Sequence, residues 1–228
     1  MRTLEWVRTR VAVRVCDQGR MELIIPHFSL VILIGASGSG KSTFARRHFR
    51  ATEILSSDAC RALVSDDENN LVATGDAFEV LHFIATKRLA TGRLTVIDAT
   101  NVQLGARRPL LDLARKFRCP AVAIVLDLPE RLCQTRNRAR TDRTIPPGAV
   151  RRQLLDLQRS LGTLEREGFQ YVYRLRSTPE IDAATVVRKR PRADLSRAHE
   201  RSAGDSGRSG DGSTPRRCLT AVEMPWYL

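Results

Sequence analysis

Residues 30–43 read Leu30-Val-Ile-Leu-Ile-Gly35-Ala-Ser-Gly-Ser-Gly40-Lys-Ser-Thr43. The five leading residues are leucine or β-branched, the composition of a strand buried on both faces. Gly35, four residues, then Gly40-Lys41-Ser42 fits the phosphate-loop pattern G-x-x-x-x-G-K-[ST]. Glycines let the backbone curl until several N–H groups face one anion, and the helix that follows adds the positive end of its dipole. The sequence therefore assigns nucleotide binding to Gly35, Ala36, Ser37, Gly38, Ser39, Gly40, Lys41, Ser42 and Thr43. In this chemistry Lys41 reaches the β- and γ-phosphates of ATP or another NTP, and the Ser42 hydroxyl ligates Mg²⁺. A plain Gly/Ser turn is the competing reading, and four specified residues at the required spacing over eight positions, after a buried-type strand, make it the weaker one.

Outward from this stretch, strands and helices alternate. Lys41–Arg50 reads as a helix with Phe44 and Phe49 as apolar contacts, and Thr52–Ser56 as a strand. Ser57-Asp58 starts a helix, with Ser or Asp as N-cap. Helices are expected at 76–90, 104–117, 131–138 and 150–161, with strands at 94–97, 121–126 and 168–175. Residues 179–188 are expected to form a terminal helix. Strand–helix alternation implies a parallel sheet flanked by helices, with ligands outside the carboxyl ends of the strands. Lys41, Asp58 and Asp98 all follow strand ends, so one rim should gather them.

Three polar groups then carry chemistry. Asp58 lies about fifteen residues past the loop, where a carboxylate can take a proton from an attacking hydroxyl. It could also be only a helix cap. Arg61 is one turn on, on the same face, placed to clamp an acceptor phosphate or to pair with Asp58. Asp98 ends a Leu-Thr-Val-Ile strand, the place of an acid that holds Mg²⁺. The tetrad Asp98-Ala-Thr-Asn101 adds polar groups to that rim. The third group is Arg136, Arg138, Arg140 and Arg143. Arg136 and Arg140 are four apart and share a face if helical, which suits a helical arginine lid over phosphates. The competing reading is a solvated basic helix.

Composition bounds the function. The formal charge is +13, with 38 Lys/Arg against 25 Asp/Glu, and residues 21–188 alone carry a net +7. That suits a polyanionic partner, although arginine-rich usage can also follow from base composition. Five cysteines, an odd number with no C-x-x-C pair, and four histidines imply neither a disulfide framework nor a zinc site. The chain reads as reduced and cytoplasmic, with no apolar run of membrane length. Cys60, Cys133 and His82 lack partners at useful spacing and read as structural. Residues 1–20 read as an extension, with a short alternation at Val11–Val15 that suits an edge strand or an unstructured segment. Residues 21–188 read as the folded domain. Residues 189–228 read as a basic tail, Gly/Ser-rich over 204–213 and without apolar periodicity.

The ordered motifs add a resemblance. They are Gly35–Thr43, Ser56-Ser-Asp-Ala-Cys-Arg61, Val64-Ser-Asp-Asp-Glu-Asn69, Val96-Ile-Asp-Ala-Thr-Asn101, Arg136-Asn-Arg-Ala-Arg-Thr-Asp-Arg143 and Arg166-Glu-Gly-Phe-Gln-Tyr-Val-Tyr173. Over residues 21–188 they resemble the kinase domain of bacterial polynucleotide kinase-phosphatase. The resemblance implies a P-loop NTPase/kinase fold and a 5′-OH polynucleotide kinase of RNA repair. It implies Asp58 as general base, Arg61 on the acceptor phosphate, Lys41 and Ser42 on phosphate and Mg²⁺, and Arg136 and Arg140 on the donor phosphates. It also implies a nucleic-acid 5′-OH end as partner and a repair ligase beside it. The family continues into metallophosphatase and adenylyltransferase-like domains. No metal-binding Asp/His/Asn array follows residue 201, so only the kinase module carries over. Residues 202–228 read as an out-of-frame or degenerate remnant, which the gene's other reading frames would test. A small-molecule kinase and a non-catalytic ATP-binding switch stay open. RNA and DNA ends, any NTP and any oligomeric state are all compatible with these residues.

Overall fold

The computed structural model describes residues 13–15, 21–140 and 145–189. The expectations for the remainder of the extension, for Arg143 and for residues 190–228 fall outside the described residues.

Chain order is β1 (Val13–Val15), β2 (Met21–Pro26), β3 (Leu30–Ile34), α1 (Lys41–His48), β4 (Ile54–Ser56) and α2 (Ser57–Ser65). Then come α3 (Thr74–Ala90), β5 (Thr95–Asp98), α4 (Leu104–Lys116), β6 (Ala121–Leu126) and α5 (Glu130–Arg138). The described chain closes with α6 (Pro147–Leu161), β7 (Tyr171–Leu175), α7 (Thr178–Ala183) and β8 (Ala184–Lys189). Five strands form a parallel sheet in the order β4-β5-β3-β6-β7. This is the expected α/β fold, a central parallel sheet flanked by helices.

The sheet's two faces follow from the alternation along β3. Leu30, Ile32 and Ile34 face a core with Ala77, Leu81 and Ala85 of α3, Leu110 of α4 and Leu157 of α6. Val31 and Leu33 face the opposite core, with Phe44 of α1, Leu23 and Ile25 of β2 and Ala184 of β8. Every side chain of β3 is buried, as the run of leucine and β-branched residues requires.

The terminal helix expected over 179–188 is corrected. The helix ends at Ala183, and 184–189 form β8, parallel to β2 with Leu23 opposite Val186. Thr185, Val186 and Val187 are β-branched and fit a pleated surface better than a helix. The strand also needs β2 as partner, which local spacing does not reveal. With β1 antiparallel on the far side of β2, these strands make a separate three-stranded sheet. Met21–Pro26 is therefore a strand of this second sheet. The Tyr173 hydroxyl donates to the Ile24 carbonyl and ties the two sheets together. Arg188 forks onto Glu53, just before β4, at 2.7 and 2.8 Å.

Strand order positions the site. After β3 the chain runs to β4 at one edge, returns to β5, and crosses β3 to β6. The direction of winding reverses at the carboxyl end of β3, where the phosphate loop begins, and ligands of open α/β sheets bind at such a point. Register adds the rest: Ser56 lies opposite Asp98, so Ser57-Asp58 and Asp98 reach the same rim.

Candidate active site

The loop Gly35–Gly40 wraps over the start of α1. Gly38 and Gly40 are left-handed, at φ 80° and 95°, and Gly40 is the N-cap of α1. A Cβ at Gly38 would stand 2.2 Å from the Cys133 carbonyl oxygen, so the loop lies directly against α5 there. Only glycine fits both that contact and that conformation. Gly35 N–H donates to the Thr100 carbonyl at 3.0 Å, which pins the loop to the turn after β5.

Lys41 is buried, and its ammonium donates to the carbonyls of Gly35 at 2.8 Å and Ala36 at 2.9 Å. Burial lowers its pKa from 10.5 to about 8, against the opposing pull of the Asp98 carboxylate. The Asp98 carboxyl is shifted the other way, upward, again by burial first. The Ser42 hydroxyl bonds to it and the Lys41 charge stands near it, and both partly offset that rise. Asp98 does not cap a helix, because α4 starts only at Leu104.

Asp58 sits in the first turn of α2, and the cap of that helix is the Ser56 hydroxyl, which accepts from Ala59 N–H. The Asp58 carboxylate is therefore spared the capping role. It accepts from the Arg61 guanidinium one turn on, and about a third of its side chain is exposed. Arg61 is buried and is held from its other side by the Glu68 carbonyl at 2.8 Å. Pairing and access to an acceptor thus share one geometry: the ion pair is made, and both of its members line the cleft.

Arg136 lies in α5 and donates to the Thr178 hydroxyl at 3.2 Å. Its guanidinium lies 3.7 Å from where a Cβ on Gly40 would be. The helix ends at Arg138, so Arg140 lies just past it and not a full turn along one helical face, as its spacing suggested. Both arginines still line the same cleft. That cleft has a volume of about 640 Å³ and is walled by the loop, Lys41, Ser42, Asp58, Arg61, Asp98, Arg136 and Arg140. Segments far apart in sequence therefore meet on one rim, as the strand ends required. Gly35, Ala36 and Ser39 are buried within the loop and are not among the residues that line the cleft.

Ser42 and Asp98 fit a magnesium ion as far as protein ligands go. Both offer hard oxygen, they are in contact, and they adjoin the phosphate loop. Among the described residues no group of three or more His, Cys, Asp or Glu could form a full protein cage. Mg²⁺ held by one carboxylate and completed by phosphate oxygens needs no such cage. Among the described residues no helix is long and apolar enough to cross a membrane.

Sequence reasoning missed three supports of this site. Gln153 of α6 accepts the Ser37 N–H at 2.8 Å. Arg107 of α4 is fully buried, forks onto Glu167 at 2.6 and 2.7 Å, and donates to the Asn101 carbonyl at 2.8 Å. That pair holds the turn after Asp98, where Asn101 is left-handed at φ 49° and donates to the Leu33 carbonyl at 2.9 Å. Asn137 brackets the segment between α5 and α6, donating to the Ile145 carbonyl at 2.7 Å and accepting from Ile145 N–H. The resemblance included Glu167 and Asn137 in its motifs, but nothing local pairs Glu167 with a residue 60 positions earlier.

Comparisons with known proteins bear on the family and the fold of the chain. A family model described as AAA domain matches residues 30–164. No curated protein matches the chain. Among solved structures, the chain is similar to one in the Pnkp1/Rnl/Hen1 RNA repair complex, with 26% identity and a TM-score of 0.53. The match covers 61% of this chain and 47% of that one, so this chain spans about half the length of that relative. It is also similar to shikimate kinase from Acinetobacter baumannii in complex with shikimate (18% identity, TM-score 0.43, 68% and 88% covered). A third is the Mycobacterium tuberculosis APS kinase CysC in complex with AMPPNP and APS (17% identity, TM-score 0.44, 70% and 95% covered). With more than half of its residues matched by that family model, the chain belongs to the AAA domain family.

Proposed function

We propose that this protein transfers the γ-phosphate of ATP or another NTP to the 5′-OH end of a polynucleotide, in RNA repair or an equivalent setting. The observation that carries this reading is the Asp58–Arg61 pair facing the phosphate loop across one cleft. A nucleotide-binding switch has no use for a carboxylate turned toward an acceptor. In the proposed reaction the acceptor hydroxyl gives its proton to the Asp58 carboxylate. A new O–P bond forms to the γ-phosphorus, the bond to the β,γ-bridging oxygen breaks, and the nucleoside diphosphate leaves.

Lys41 and the loop amides hold the donor phosphates, and Arg136 and Arg140 offset the charge that spreads over them in a loose transition state. Ser42 and Asp98 would hold Mg²⁺ beside the phosphates, and the ion would supply further charge neutralisation. Arg61 takes the acceptor's own phosphate. The place of Arg61 in the cleft, the net +7 of residues 21–188 and the 26% identity to a chain of an RNA repair complex favour a polyanionic acceptor over a small metabolite. A repair ligase is the partner class this implies.

The test is a panel of acceptors with Mg²⁺ and γ-labelled ATP: a 5′-OH oligonucleotide, a nucleoside, a sugar and shikimate. Label on the oligonucleotide is expected. Label on a small molecule, with none on the oligonucleotide, would replace this reading with that of a metabolite kinase.

A further inference from the structure

We propose that Gln153 is a positioning residue whose side-chain carbonyl competes with the donor phosphates for the Ser37 amide of the phosphate loop. The inference rests on the donor-site reading above.

The contact joins residues 116 positions apart, and Ser37 and Gln153 both line the cleft. Gln153 is held firmly, because α6 buries Val150, Leu154 and Leu157 on its inner face. Two of the loop's donors are thus engaged internally, while the buried Ser39 hydroxyl has no partner among the described residues. Lys41 turns its ammonium to the Gly35 and Ala36 carbonyls, and Ser37 turns its N–H to Gln153 Oε1. A backbone N–H has one proton, so a phosphate oxygen and an amide oxygen compete for it. The phosphate is charged, and charge-assisted hydrogen bonds are roughly twice as strong as neutral ones. The exchange therefore runs toward the nucleotide, but each binding event must first break the internal bond.

The exchange also bears on the arginines. Asn137 ties the end of α5 to Ile145, just before α6. The helix that lets go of the loop is anchored to the helix that carries Arg136.

Two substitutions decide it, Gln153→Ala and Gln153→Glu, with AMPPNP and Mg²⁺ as the probe. In the free protein, hydrogen exchange at the Ser37 amide should quicken about tenfold in Gln153→Ala. AMPPNP should bind that variant about three- to tenfold more tightly, the worth of one net hydrogen bond. Gln153→Glu keeps an acceptor but adds repulsion, and should weaken AMPPNP by about tenfold or more. If Gln153→Ala weakens AMPPNP, the side chain is a phosphate ligand and the competition is wrong. If either exchange or affinity stays unchanged in Gln153→Ala, the contact carries nothing and the proposal fails. Absence of AMPPNP binding by the unsubstituted protein would instead strike the donor-site reading, while the exchange rate in the free protein still decides whether Gln153 holds the amide.

Discussion

Lys41 gives the sharpest physical test. Its pKa falls from 10.5 to about 8 on folding, chiefly through burial. At about 1.4 kcal/mol per pKa unit, the buried charge costs the nucleotide-free fold about 3 kcal/mol at neutral pH. The sign follows from linkage. Between pH 8 and 10.5 the unfolded chain holds this proton and the folded chain does not, so stability should rise with pH across that window. About 2 kcal/mol of the cost should be relieved between about pH 7 and 9.5. Other groups titrate in the same range in the opposite sense: burial pushes the Cys119 thiol up to about 11 and Tyr173 up to about 12. They are removed by taking the difference between the unsubstituted protein and Lys41→Met. The assay is urea unfolding of both at about pH 7, 8.5 and 9.5. The difference in unfolding free energy should shift in favour of the unsubstituted protein as pH rises. Saturating AMPPNP with Mg²⁺ supplies negative charge to the lysine, keeps it protonated and should flatten the trend. A pH-independent difference without nucleotide would refute the claim that burial destabilises this charge.

Three further outcomes are expected. Arg61→Gln should raise the KM for an oligonucleotide about tenfold or more while leaving the KM for ATP within about twofold, measured by initial rates, because a lost charged hydrogen bond of about 1.5–3 kcal/mol falls on the acceptor side of the cleft, where Arg61 also holds Asp58. Gly38→Ala should abolish AMPPNP binding measured by calorimetry, since its Cβ meets the Cys133 carbonyl at 2.2 Å and the backbone is left-handed there. Arg107→Met should cost about 3–5 kcal/mol in urea unfolding by leaving the Glu167 carboxylate buried and unpaired, and Glu167→Gln in the same background should recover part of that loss.

The legible parts of this chain are those where chemistry is written locally. Leu30–Thr43 carries a buried strand, a turn that needs glycine and a helix start in one unbroken run. Asp58 and Asp98 could be placed because each follows or ends a strand, and parallel strands bring their carboxyl ends to one rim. Local reading fails at the far end of the domain. Residues 179–188 are expected to be helical throughout, yet Thr185-Val186-Val187 favours a strand, and only the distant partner β2 decides it. Nothing in the sequence pairs Arg107 with Glu167, because a buried pair 60 residues apart leaves no local periodicity. Gln153 was hidden for the same reason: its value lies in the amide it reaches, not in its neighbours. Arg140 shows a milder limit. Spacing put it on the helix of Arg136, whereas the helix stops at Arg138, and the backbone beyond still delivers it to the cleft.

The central claim is that one carboxylate and one phosphate loop act together on a bound acceptor. Single-turnover transfer from γ-labelled ATP to a 5′-OH oligonucleotide, with the unsubstituted protein and Asp58→Asn side by side, tests it most directly. The account predicts label on the 5′ end for the former, a loss of at least about a hundredfold in rate for the latter, and AMPPNP affinity within about threefold between them. Equal transfer rates in the two proteins would contradict it.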